Sequence, residues 1–229
     1  MMELFTYKDI YDEAGKRILE VNILPEKYCT FDCVFCPIGR SPHKVDTIQD
    51  FGDVQTALSD LAYRMDGEKP DLVFINSRGE ALVHNRIQDI ISFIHAKGTA
   101  VRLLSNGYLL GQAPYMGIAD CCEEVIGELK VTTDEDFQRL QRPVDGFTLN
   151  RYICNMVAFR RQYEGHFIFE ITILRGYNDD PDSLVKLKRT IAQLKPYRVS
   201  LITMEDEPFV KKLALTEEKL QSIKDYLLT

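Results

Sequence analysis

Six short apolar runs, each followed by a segment of helical periodicity, organise the 229-residue chain. The runs are Leu19–Leu24, Leu72–Asn76, Ala100–Ser105, Val125–Thr132, His166–Leu174 and Val199–Met204. Several are rich in β-branched residues, as strands buried on both faces are. Between them, Phe51, Val54, Leu58, Leu61 and Met65 share one helical face over Phe51–Met65. Asn85 stands where an N-cap belongs, before a stripe of Ile87, Ile90, Ile91 and Ile94 that Gly98 closes. Asp182 precedes a stripe of Leu184, Leu187, Ile191 and Leu194, ended by Pro196. A last helix, 216–228, opens at Thr216 with Glu217 and Glu218 in its first turn, where carboxylates suit the helix dipole. Strand–helix units joined by right-handed crossovers require a parallel sheet. Six units fall short of the eight of a closed barrel, leaving an open partial barrel or a flat doubly wound sheet. In both, ligands gather beyond the carboxyl ends of the strands.

Just after the first run comes Tyr28-Cys29-Thr30-Phe31-Asp32-Cys33-Val34-Phe35-Cys36-Pro37, a Cys-x3-Cys-x2-Cys spacing. A short loop with this spacing wraps one iron–sulfur cubane, each thiolate taking a different iron. Three ligands for four irons leave one iron open to a small chelating molecule. Two other readings stay open on spacing alone. His43 would complete a Cys3His zinc site, and Cys33 with Cys36 would make a redox pair. Cys121, Cys122 and Cys154 include adjacent residues, which suit buried thiols better than an auxiliary cluster.

Composition narrows the class. Hydrophobic residues make up 45% and charged residues 28%, as in a folded globular chain of one domain, 1–229. No apolar run approaches the roughly 18 residues of a membrane span, and the first residues lack the pattern of a signal peptide. A cytoplasmic location is expected, where thiols stay reduced and a disulfide framework does not form. The net charge of −7 speaks against broad binding of a phosphate backbone, although Arg40, His43 and Lys44 cluster locally.

Cys-x3-Cys-x2-Cys in the first loop of such a chain, with Phe35 before the last cysteine, resembles the radical S-adenosylmethionine (SAM) superfamily. The stretches Val21–Pro25 and Cys36–Ser41 are similar to the small wyosine-type branch of that superfamily. So are Ser77–Leu82, Ser105–Gly107, Phe137–Pro143 and Gly176–Asp179. The resemblance runs in order from Ile18 to Met204. With it, the expected fold is α/β: a partial (β/α)6 barrel of parallel strands, helices outside, open on one side, with its core at 18–204.

The resemblance implies a [4Fe–4S] cluster on Cys29, Cys33 and Cys36, with SAM chelating the open iron. It implies a low-potential electron donor of flavodoxin or ferredoxin type and hydrogen abstraction from a substrate by a 5′-deoxyadenosyl radical. Arg78-Gly79-Glu80 stands where relatives carry Gly-Gly-Glu, so Gly79 and Glu80 are expected at the SAM amino group. Arg78 departs from that pattern and would be strained if its backbone needed positive φ. Ser105 and Asn106 are expected at the ribose hydroxyls or the methionine carboxylate, and Phe35 beside the cluster or the adenine. Thr132 is a further polar candidate at the end of the fourth run, and Lys130 shares its face if the strand continues. Glu170 and Thr172 line the site if they face inward.

No cysteine precedes Cys29, whereas wyosine synthases carry an upstream set for a second cluster, so a tRNA substrate is not carried over. The expected substrate is a small molecule or nucleoside. A glycyl-radical-type activating enzyme acting on a protein is the alternative, because Glu128-Leu129-Lys130 is similar to the acidic-x-Lys element of those activases. A cluster-binding sensor that never cleaves SAM is the non-enzymatic reading.

Overall fold

The computed structural model describes residues 5–229. Strands β1 (Thr6–Tyr7) and β2 (Tyr11–Glu13) lead into β3 (Lys16–Asn22), followed by the short pair β4 (Tyr28–Cys29) and β5 (His43–Lys44). Helix α1 (Gln55–Glu68), β6 (Leu72–Ile75), α2 (Ile87–Ala96) and β7 (Ala100–Ser105) come next. Then follow α3 (Tyr115–Ala119), β8 (Glu124–Leu129), α4 (Asp134–Asp136), α5 (Leu149–Gln162) and β9 (His166–Ile173). The chain ends with α6 (Pro181–Leu194), β10 (Arg198–Thr203), α7 (Val210–Leu213) and α8 (Glu217–Leu228).

Strands β3, β6, β7, β8, β9 and β10 lie side by side in that order, all parallel. β1 and β2 pair antiparallel with β3, an N-terminal addition that periodicity did not predict. This is the expected open (β/α)6 partial barrel rather than a flat doubly wound sheet. No helix among the described residues is long and apolar enough to cross a membrane.

The period-2 alternation of each strand divides the side chains between two environments. Odd-numbered residues such as Leu19, Val73, Val101, Val125, Phe167 and Ile171 bury against the helices in the main core. Even-numbered residues face the barrel interior, where Ile18, Leu72, Phe74, Ile126 and Ile168 form a separate small core. Polar residues interrupt that inner face in layers. At the bottom, Arg102 Nε donates to Glu124 Oε2 at 2.7 Å and its Nη1 to Glu13 Oε2 at 2.8 Å, and Lys16 Nζ reaches Glu124 Oε1 at 2.9 Å.

Several element ends differ from the sequence reading, each for a local reason. Helix α1 begins at Gln55, because Phe51 to Val54 form an irregular lead-in. Asn85 does not cap α2: its amide donates to Asp50 at 2.7 Å and its carbonyl accepts from Phe51 N, pinning that lead-in instead. The cap of α6 is Asp180, which accepts from the N–H groups of Asp182 and Ser183 with Pro181 at the first helical position. Thr216 caps α8 as expected, accepting from Lys219 N. Strand β8 stops at Leu129, three residues before the expected end at Thr132.

Arg102 is buried between two carboxylates, so removing it strands charge in the barrel floor. Arg102→Leu is expected to lower stability by about 3 kcal/mol, seen as a lower urea midpoint, while Lys16 and Arg198 retain part of the compensation.

Candidate active site

The cysteine loop is fastened by main-chain atoms from three directions. Val45 N donates to Cys29 O at 2.9 Å, tying β4 to the returning chain. Asp32 N donates to Gln141 O at 3.0 Å, Val34 N to Leu140 O at 2.8 Å and Val144 N to Thr30 O at 2.9 Å, tying the loop to Phe137–Pro143. The third tie runs from Glu80 N to Tyr28 O at 2.8 Å. Within the loop, Asp32 is buried, and its carboxylate receives Arg40 Nε at 2.7 Å and Ser41 N at 2.8 Å. Burial alone would raise its pKa, but these donors hold it below the usual carboxylate range.

The tie at Tyr28 depends on Gly79. A β-carbon there would stand 1.9 Å from Tyr28 O, closer than any packing allows, and the residue has φ +149°. Arg78, by contrast, is not among the residues of positive φ, so its side chain in place of the first glycine brings no backbone strain. Only the second glycine of the pattern is sterically required here.

Cys29, Cys33 and Cys36 line one cavity of about 270 Å³ at the carboxyl ends of the strands. Phe35, Gly79 and Asn106 line it too, with Ser77, Glu128, Lys130, Gln141 and Thr172. Asn106 Nδ2 donates to Thr30 Oγ1 at 2.8 Å and lies 3.6 Å from Cys29 Sγ. The strand ends that carry these groups are pinned from behind. The buried Tyr152 hydroxyl reaches the carbonyls of Asn106 and Glu128, and Asn178 Nδ2 donates to Thr172 O at 2.9 Å and Lys130 O at 3.1 Å.

Three expected residues stand elsewhere. Glu80 is fully buried behind the cavity, accepting from Ser105 Oγ at 3.0 Å, Asn106 N at 2.9 Å and Leu82 N at 3.2 Å. Burial pushes its carboxyl up to about 7 against the pull of those donors. Ser105 is turned to Glu80 and is not in the cavity wall. Thr132 lies in the loop beyond β8, where its hydroxyl bonds Ser183 at 2.8 Å. Because the strand has ended, period 2 no longer sets its direction, and Lys130 lines the cavity instead. Lys130 Nζ is 2.6 Å from Glu128 Oε1. Burial would lower the Lys130 pKa, but Glu128 outweighs it and holds the ammonium above its ordinary value. Gln141, Lys27 and Asp206 are among the lining residues that sequence reasoning missed; Gln141 lies inside the stretch Phe137–Pro143, and nothing in periodicity marks it.

The donor set fits an iron–sulfur cluster with an open iron. The three thiols share a cavity, although no group of three Cys, His, Asp or Glu side chains among the described residues stands close enough to hold a metal ion without adjustment. His43, the fourth zinc ligand weighed from sequence, stacks on Tyr28 with ring centroids 4.2 Å apart and is not in the cavity wall. Burial pushes the Cys29 thiol up to about 12 and raises Cys33, so a metal bound there must displace their protons. Two buried oxygens in the wall, Gln141 Oε1 and Thr172 Oγ1, have no hydrogen-bond partner. Buried polar atoms rarely go unpaired, and a polar molecule bound in the cavity would satisfy both.

The fold matches that of solved structures. TYW1 with a lysine-pyruvate adduct bound superposes with a TM-score of 0.70 at 14% identity, covering 92% of this chain and 72% of that one. A radical SAM methyltransferase from Sphaerobacter thermophilus gives 0.66 at 13% identity, covering 96% and 65%. This is the radical SAM fold. Native anSMEcpe with bound AdoMet superposes with a TM-score of 0.59 at 12% identity, over 89% of this chain and 57% of that one.

Among curated proteins, the chain is 22% identical over 211 residues to a protein named GTPase Obg of Brachyspira hyodysenteriae, covering 91% of this chain and 31% of that protein. It is 22% identical over 188 residues to a UPF0026 protein of Methanocaldococcus jannaschii, covering 81% and 59%. A UPF0026 protein of Helicobacter pylori is 24% identical over 213 residues, covering 88% and 67%. The chain thus spans about a third of the first relative and three fifths of the second. No protein-family model matches it.

Gly79→Ala is expected to cost about 3 kcal/mol by forcing the Tyr28 carbonyl away. Thermal denaturation, and iron per chain after anaerobic reconstitution, check it; both are expected to fall together.

Proposed function

We propose that the chain is a radical SAM enzyme: Cys29, Cys33 and Cys36 hold a [4Fe–4S] cluster, and SAM occupies the same cavity. One observation carries this reading, the sharing of a single cavity by three thiols and two unpartnered buried oxygens on the radical SAM fold. When bound, the cluster supplies the electron that splits SAM into methionine and a 5′-deoxyadenosyl radical, which takes hydrogen from a small-molecule or nucleoside substrate.

The chain's own residues position and enclose. Phe35 lines the cavity beside the three thiols and would help keep water from a cluster held there. Gly79 and Ser77 present main chain at close range, and Asn106 holds the Cys29 end of the loop. Glu80 is a positioning residue: by gathering Ser105, Asn106 N and Leu82 N, it fixes the two loops that meet the SAM amino and carboxylate groups. The Glu128–Lys130 pair offers both signs to a zwitterionic amino-acid moiety. Gln141 and Thr172 supply the remaining polar contacts. The electron donor is a flavodoxin or ferredoxin, and the setting is the cytoplasm.

The same Glu128–Lys130 pair favours one second reading, an activating enzyme that installs a glycyl radical on a protein partner.

Anaerobic reconstitution with SAM and dithionite is expected to yield 5′-deoxyadenosine, and Cys29→Ala, Cys33→Ala or Cys36→Ala to abolish it. Failure of the wild type to release 5′-deoxyadenosine would reduce the protein to a cluster carrier. Gln141→Leu and Thr172→Val are each expected to weaken SAM about fivefold by isothermal titration, the worth of one hydrogen bond near 1 kcal/mol, with iron content unchanged.

A further inference from the structure

Beneath the cysteine cavity, on the same inner face, lies a second cavity of about 340 Å³. The two meet at Asn76 and Leu104, which line both. Its walls are Phe74, Leu104, Ile126 and Ile168, and its polar edge is Asn76, Glu170 and Ser200. Arg102, Glu13 and Arg198 close the floor.

Five carboxylates point into the barrel interior, and four have a cation. Glu20 pairs with Lys8 at 2.7 Å, Glu124 with Lys16 at 2.9 Å, Glu13 with Arg102 at 2.8 Å and Glu128 with Lys130 at 2.6 Å. Among the described residues, Glu170 has no ion pair. Its side-chain contact is Ser200 Oγ at 3.4 Å, and Arg198 on the same strand as Ser200 lies 3.7 Å from Glu13 instead. Register places Glu170 directly beside Glu128, so a second carboxylate faces it across the β8–β9 ladder, with Lys130 above turned to Glu128. One step above Glu170 on the same face stands Thr172, 4% exposed, whose hydroxyl oxygen has no partner. Glu170, a half-buried carboxylate at the polar edge of an apolar cavity, makes no ion pair of its own: Lys130 and Arg198 act on it only from a distance, each being paired to another carboxylate.

We infer that the lower cavity seats a protonated amine or amidinium group, with Glu170 as its counter-ion and Phe74, Ile126 and Ile168 against the apolar part of the same molecule. Resting on the radical SAM reading, this is the substrate's seat, adjoining at Asn76 and Leu104 the cavity that would hold SAM. The carboxyl of Glu170, pushed up to about 7 by burial and by Glu128, is returned to its charged form when the cation arrives.

Benzamidine, a planar apolar ring with an amidinium, and benzamide, its neutral counterpart, are the probes. Both are titrated calorimetrically into the cluster-loaded, SAM-bound protein and into the cluster-free chain. Benzamidine is expected to bind at least tenfold more tightly than benzamide in both states. Glu170→Gln is expected to erase that preference while leaving SAM affinity and the cluster's visible absorption unchanged. Equal binding of the two probes, no binding of benzamidine, survival of the preference in Glu170→Gln, or displacement of SAM by benzamidine would each overturn the assignment. A wild type that shows the Glu170-dependent preference yet takes up neither cluster nor SAM would overturn the radical SAM reading and leave the cation seat standing.

Discussion

Everything at this site rests on how near two loops come to one another at Tyr28 and Gly79. The main-chain bond from Glu80 N to Tyr28 O forms because residue 79 has no side chain to hold the strands apart. That bond sets the depth at which Cys29 enters the cavity. It also places Glu80 so that its carboxylate gathers the end of β7. The loop carrying the thiols and the loops carrying the polar groups are therefore one assembly, and the cavity is the space left between them.

The barrel interior supplies the second constraint. Six parallel strands send alternate residues inward, but the apolar inner cluster is small, with Ile18, Leu72, Phe74, Ile126 and Ile168 at its centre. Above and below it the inner face is polar, and the ion pairs of Arg102 close the bottom. An interior filled wholly by branched apolar residues would be a packed core. Here the packing stops short of the carboxyl ends, and the room that remains is lined by groups with chemistry.

Much of this was legible in the residues. The strand–helix units, the helical stripes and the cysteine spacing all follow from local periodicity and ligand count, which act over a few positions. What escaped depended on contacts distant in sequence. Thr132 was placed by extending the alternation of β8 past Leu129, but Asn178 binds the Lys130 carbonyl and the chain leaves the sheet there. Asn85 has the chemistry of a cap, yet Asp50, 35 positions away, takes its amide. Glu80, expected at the SAM amino group, is fully buried, its carboxylate taken by Ser105 and Asn106 N at the end of the next strand. Gln141 lines the cavity because the Phe137–Gln141 turn is stitched to the cysteine loop by main-chain bonds, for which no side-chain pattern exists.

The ties from Val45, Asp32, Val34 and Val144 join peptide groups, which every residue but proline supplies in full. Those ties therefore do not depend on which side chains the joined residues carry. The backbone overlays that of TYW1 at a TM-score of 0.70 although only 14% of the residues are identical.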